Sequence, residues 1–194
     1  MSREDRNVPT RLAGADDRAV VVSTVVAAFR RDPAFRFFFP DDRDYADHAE
    51  TFVAYLFDKR VEHRTIWMTD RAEAVALWSP PTATESAQFP DHVAAALGAD
   101  AVARLEQYET AVYDELPPEP HWYLGVLATN PAHAGEGLGR QVMAVGLDAA
   151  RSDGSPALLE TTNPANVGLY ESVGWRVAST IEVATLDVRI MRHE

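Results

Sequence analysis

The chain has 194 residues, 46% apolar and 25% charged, which is ordinary globular composition with ample material for one core. Its formal charge of −12 speaks against a nucleic-acid partner, since affinity for phosphates rests on Lys and Arg. The absence of cysteine excludes disulfides, thiolate nucleophiles and Cys-based zinc sites, and is compatible with the reducing cytoplasm in which we expect the protein.

In chain order, residues 1–9 are polar, lack the apolar run of a signal peptide, and are expected to be a flexible N-terminus ahead of a single domain over residues 10–194. Residues 10–13 read as a short strand. Asp16 and Asp17 then open a helix carrying Val22, Val25, Val26 and Phe29 at helical spacing. The longest apolar stretch, residues 19–29, is interrupted by Ser23 and Thr24 and is too short for a bilayer, so no membrane association is expected. Asp32-Pro33 breaks the helix, and Phe35, Phe37, Phe38 and Phe39 follow before Pro40. Ala49, Phe52, Val53, Leu56 and Phe57 mark one face of a second helix, and residues 65–69 and 74–78 read as a hairpin about Asp70-Arg71. Residues 80–91 are proline-rich and polar, a loop or broken helix, and residues 101–113 form a further helix through Val102, Leu105 and Val112.

Beyond an apolar strand at residues 123–129 come Pro131 and then Gly135, Gly137 and Gly139, alternating with Glu136 and Leu138. Helical periodicity takes over through Leu138, Val142, Met143 and Leu147 and stops at Gly154. A buried strand at residues 157–160, a short helix to Ser172, a strand from Trp175, and a last strand through Leu186, Val188 and Ile190 complete the pattern. Composition and period alone give a mixed α/β sandwich.

A helix that begins inside glycines is an anion site in waiting. Its first N–H groups have no intrahelical partner, lie at the positive end of the macrodipole, and are approachable because no Cβ covers them. The spacing differs from the P-loop, where Lys-Ser/Thr would stand in place of Arg140-Gln141, and from the dinucleotide fingerprint, since G-x-G-x-G replaces G-x-G-x-x-G.

The strand, Pro131, and Gly135 to Gly139 resemble the acetyl-CoA motif of the GNAT family of N-acetyltransferases. The run from Asn163 through Leu169-Tyr170-Glu171 to Gly174-Trp175 resembles that family's next motif. Within the family the chain is most similar to the puromycin N-acetyltransferase branch, with Ala134 standing where the family usually has Arg or Gln. The resemblance implies the GNAT fold: a central mixed β-sheet, splayed between two strands and flanked by helices. It implies acetyl-CoA as co-substrate and the primary amine of a small molecule, aminonucleoside or antibiotic-like, as acceptor, in a monomer or homodimer. A peptide or protein amine is the alternative acceptor, and an acyl-CoA-binding module without turnover the alternative function.

The resemblance also distributes roles. Leu127, Ala128 and Thr129 would present backbone groups to the pantetheine and acetyl carbonyl, where one N–H donor contributes on the order of 3 kcal/mol to acyl transfer. Gly135, Gly137, Leu138 and Gly139 would hold the pyrophosphate, with Arg140 serving equally as a further phosphate contact or as a solvated helix arginine. Asn163, Asn166 and Tyr170 share one face if Pro164 opens a helix; Asn163 serves equally as N-cap or cofactor contact. Tyr170 would protonate the departing thiolate, because a phenol near pKa 10 keeps its proton where a thiol near 8.5 loses it. Glu160, ending the strand before that helix, is the candidate base, directly or through a water, with a cap or salt bridge as its other reading. Trp78 and the Phe35 to Phe39 run suggest an apolar acceptor cavity or plain core. The six histidines show no metal-binding spacing, so no metal is expected.

Overall fold

The computed structural model describes residues 8–83 and 88–194. Seven strands form one mixed sheet: β1 (Thr10–Leu12), β2 (Ile66–Thr69), β3 (Ala74–Ser79), β4 (Trp122–Thr129), β5 (Ala157–Thr161), β6 (Arg176–Val183) and β7 (Leu186–His193), in the order β1-β2-β3-β4-β5-β7-β6. Every neighbouring pair is antiparallel except β4 with β5.

Strand alternation divides the core between the two faces. Val75 and Leu77 of β3 join one cluster with α1 (Arg18–Phe29), α2 (Pro33–Phe38), α3 (Tyr45–Val61), α4 (Asp91–Leu97) and α5 (Ala99–Glu115). Ala74, Ala76 and Trp78 join the opposite cluster with α6 (Leu138–Asp153) and α7 (Pro164–Glu171). The fully buried Trp78 ring lies on α6 at Gly146, where any Cβ would overlap the indole. A glycine in mid-helix is required there by close approach, not by flexibility.

Two irregularities in β4 shape the site. In the register with β3, Leu77 faces Val126 and Trp78 faces Leu124, so Gly125 is an extra residue, a β-bulge. The bulge inverts the strand's alternation: Trp122 and Leu124 pack on the α6 side, Val126 and Ala128 on the α1–α5 side. Arg60 of α3 lies on Gly125, where a Cβ would come within 2.8 Å of its Nη2. The second irregularity is that β4 and β5 pair only at Trp122↔Ala157 and Tyr123↔Leu158, after which they part. Beyond that point β4 stays on β3 through Thr129↔Ala74, and β5 stays on β7 through Thr161↔Arg189. A gap therefore opens in the middle of the sheet.

Two helices were not expected from the sequence. Asp32-Pro33 starts α2 as well as ending what precedes it: the Asp32 side chain accepts from the N–H groups of Ala34 (2.9 Å) and Phe35 (3.3 Å), and Pro33 fits the first turn. The second is α4, a seven-residue helix after Pro90 in which Val93 and Leu97 are the large apolar residues, too short a run to show a helical stripe. Residues 84–87 of the expected 80–91 loop, and residues 1–7 of the expected flexible N-terminus, lie outside the described residues. Val8 donates its N–H to Gln141 Oε1 at 3.0 Å and packs against the α6 cluster. No helix among the described residues is long and apolar enough to cross a membrane.

Candidate active site

Where β4 and β5 part, a cavity of about 120 Å³ opens. Tyr123, Val126 and Glu160 line it together with α2, α3 and α5; Leu124, Leu127 and Tyr170 line it too, and these belong to the α6 side of the sheet. The cavity thus passes through the sheet and is reachable from both layers.

Glu160 is its central ionisable group. The partly exposed surface of this residue faces the cavity, which protein encloses, so loss of hydration pushes its carboxyl up to about 7. Smaller influences oppose this: a hydrogen bond donated by the Tyr123 hydroxyl and the nearby positive charge of Arg60 both favour the carboxylate. Asp32 across the cavity adds a like charge that raises it further. Arg60, itself buried, donates from Nη1 to the Leu56 carbonyl at 3.1 Å, which fixes its stem while the guanidinium rests on Gly125.

Tyr170 lies 7% exposed at the cavity wall, its ring edge-on to Trp175 with centroids 6.1 Å apart. Burial first, then the charge of Glu160, raises its hydroxyl well above the usual phenol value. Tyr123 and Tyr108 are raised for the same first reason. All three phenols are proton donors at neutral pH.

On the α6 side of the gap, the turn before the helix runs through Gly135 (φ 81°) and Gly137 (φ 78°), backbone positions that side chains rarely adopt. Gly137 is the N-cap and supplies no side chain, and the N–H groups of Leu138, Gly139 and Arg140 have no backbone partner among the described residues. Leu138 is buried and anchors the turn, whereas Arg140 is exposed and unpartnered among the described residues. Gly139 abuts β4: a Cβ there would lie 3.0 Å from Thr129 Oγ1.

A family profile, the acetyltransferase (GNAT) family, matches residues 27–175, spanning both the turn and the splayed strands. The chain belongs to that family. It is an acetyl-CoA-dependent N-acetyltransferase. Among solved structures it is similar to an acetyltransferase of Corynebacterium glutamicum described as histone acetyltransferase HPA2 and related (21% identity, 96% of each chain covered, TM-score 0.74). It is also similar to the Drosophila melanogaster polyamine N-acetyltransferase that forms N-acetylagmatine (15% identity, 96% of this chain and 99% of that one, TM-score 0.65). A mosquito arylalkylamine N-acetyltransferase-like protein gives 16% identity, the same coverage and a TM-score of 0.62. At such identities the likeness establishes the fold.

Two features on the α6 side of the gap are open to a ligand. Among the described residues, the glycine turn offers N–H groups without a backbone partner at a helix start, and from Leu124 onward the β5-facing edge of β4 has no strand partner. Of the expected site residues, the structure brings Leu127, Glu160, Asn166 and Tyr170 onto one cavity wall, with Ala128 and Thr129 next along β4. Asn163 does not line that wall; its side chain caps α7 by accepting from the Ala165 N–H at 3.1 Å. Asp32, Arg60 and Tyr123 were not foreseen as site residues. An Asp-Pro capping pair is a sequence signal for Asp32, but nothing local marks Tyr123, which reaches Glu160 only through the register of β4 with β5.

Proposed function

We propose that this enzyme transfers the acetyl group of acetyl-CoA directly to the primary amine of a small molecule bound in the cavity. Glu160 takes the ammonium proton, the freed nitrogen bonds to the acetyl carbon as the carbon–sulfur bond breaks, the Tyr170 hydroxyl gives its proton to the departing sulfur, and the second proton, shed by the nitrogen as the amide forms, restores the hydroxyl. Support comes above all from one observation: a carboxyl held near neutrality and a protonated tyrosine share the wall of a cavity that pierces the sheet at the splay. A base titrating near the working pH is the best compromise between being ionised and holding a proton.

Tyr123 orients the Glu160 carboxylate, and the open edge of β4 at Leu127, Ala128 and Thr129 offers backbone groups to the pantetheine and the acetyl oxygen. Gly135, Gly137, Leu138 and Gly139 receive the pyrophosphate, and the exposed Arg140 stands one helical residue away to add its charge. The test is release of free thiol from acetyl-CoA, measured with a panel of primary amines. Acetyl-CoA that protects the protein against heat without any amine-dependent thiol release would make it a binding module.

A further inference from the structure

Five charged side chains line the cavity, Asp32, Lys59, Arg60, Glu109 and Glu160, and Arg60 is the one among them that is buried, 4% exposed. It leaves the last turn of α3, where its Nη1 donates to the Leu56 carbonyl at 3.1 Å. Its guanidinium then lies on β4 at the extra residue of the bulge, since a Cβ on Gly125 would come within 2.8 Å of Nη2. Gly125 is not among the glycines of positive φ, so this glycine serves a close approach and not a special backbone conformation. The other cation, Lys59, lies over the Tyr55 ring at 5.3 Å.

A buried guanidinium is costly unless an anion answers it. In this cavity the charge of Arg60 acts on Glu160 and favours its ionised form. That anion is not permanent: burial pushes the Glu160 carboxyl up to about 7, and in the proposed reaction it becomes neutral by taking the proton of the acceptor. As the freed nitrogen then bonds to the acetyl carbon, negative charge gathers on the acetyl oxygen. Leu124, Gly125, Val126 and Leu127 all line the cavity, on the stretch of β4 that has lost its β5 partner and along which the thioester is proposed to lie. Arg60 rests on the second of these four residues. Its attraction therefore passes from a carboxylate that has just been neutralised to an oxygen that has just been charged. An interaction stronger in the transition state than with bound substrate is the kind that raises kcat.

We propose that Arg60 is a catalytic residue of the acetyl transfer, its guanidinium meeting the negative charge on the acetyl oxygen together with the backbone N–H groups of β4. This role rests on the transferase reading of the same cavity and adds to it a side-chain donor that Gly125 admits. Arg60 stays protonated throughout, and no covalent bond to it forms or breaks.

Arg60→Met keeps an apolar stem and removes the charge. Because the same change raises the Glu160 carboxyl, kcat is compared on the alkaline plateau of each enzyme's own pH profile, with a saturating primary amine that the wild type acetylates. There the variant should be slower by about 10²-fold or more, with acetyl-CoA affinity unchanged. Gly125→Ala leaves the guanidinium in the chain but displaces it from β4, and should lower kcat by about tenfold or more. A binding measurement on the wild type needs no variant: at pH 6, where Glu160 is mostly protonated, carboxymethyl-CoA should bind about tenfold or more tighter than acetonyl-CoA, its neutral ketone counterpart. Arg60→Met should lose that preference. A wild-type kcat on the plateau in folded Arg60→Met, with only the acidic limb displaced, would overturn the role, leaving Arg60 to act through Glu160 alone and the transferase reading intact. Equal binding of the two CoA analogues to the wild type would overturn it as well, and decides the matter if Arg60→Met does not fold. Wild-type protein that binds acetyl-CoA yet releases no thiol with any amine would remove the transferase reading and this role with it.

Discussion

Tyr123 donates its hydroxyl to the Glu160 carboxylate across the point where β4 and β5 separate. Tyr123 is the last β4 residue paired to β5, opposite Leu158, and Glu160 stands two residues further on the same face, within diagonal reach of a long side chain. The bond therefore spans the mouth of the splay, holds the Glu160 carboxyl in place and opposes the upward push of burial on it.

Tyr123→Phe removes that bond and leaves the packing. Burial and the charge of Asp32 already raise the Glu160 carboxyl, while the Tyr123 hydrogen bond and Arg60 hold it down. Without the hydroxyl the carboxyl rises further, so the acidic limb of the kcat/KM profile, below which the base is protonated, should move upward by about one pH unit. A profile that stays in place would separate Tyr123 from the ionisation of the base.

Tyr170→Phe tests the acid. The hydroxyl is kept protonated by burial, so its removal takes away a proton donor without creating a charge. With a good acceptor at saturation, kcat should fall about 10²-fold, acetyl-CoA affinity holding steady. A wild-type rate would mean that water protonates the sulfur.

The glycine turn and the α7 start of the candidate site were legible in the sequence because they are local. Glycines at 135, 137 and 139 with a helical stripe starting at Leu138 can be read within one window, and so can Asn163-Pro164 opening the helix that carries Tyr170. The acceptor half was not, because contacts far apart in sequence make it. Arg60 meets Gly125 only through the packing of α3 on a bulged β4, and no periodicity announces a bulge whose extra residue is a single glycine. The Phe35 to Phe39 run was ambiguous for a different reason: those rings are at once core and cavity wall, since Phe35 and Phe38 are buried and also line the cavity.

Gly137→Val tests the cradle. Residue 137 has φ 78° and forms the N-cap of α6, so a β-branched side chain is strained there and stands beside the free N–H groups. Acetyl-CoA binding should be lost in protein that circular dichroism shows to be folded. Retained affinity would move the pyrophosphate elsewhere.

Ala134→Arg asks whether this turn lacks a contact. Ala134 is exposed and directly precedes the glycines, and a guanidinium there should tighten acetyl-CoA binding by about 0.5–1.5 kcal/mol in calorimetry. Weaker binding would show that Arg140 already occupies the place.

Glu160→Gln sets stability against activity. Burial raises the folded-state carboxyl from 4.5 to about 7, so between these values the folded state holds a proton that the unfolded chain releases. With more protons bound folded than unfolded, stability falls as pH rises through this window, and the ionised group above it is a standing cost of about 3 kcal/mol. Glutamine keeps the shape and can still accept from the Tyr123 hydroxyl, but never ionises. At pH 8 the variant should melt roughly 5–10 °C above wild type, and the gap should shrink steadily toward pH 5. Turnover at neutral pH should drop 10²-fold or more in the same protein. A pH-independent gap in melting temperature would show that Glu160 titrates in its ordinary range, and the carboxyl could not then serve as a base poised near neutrality.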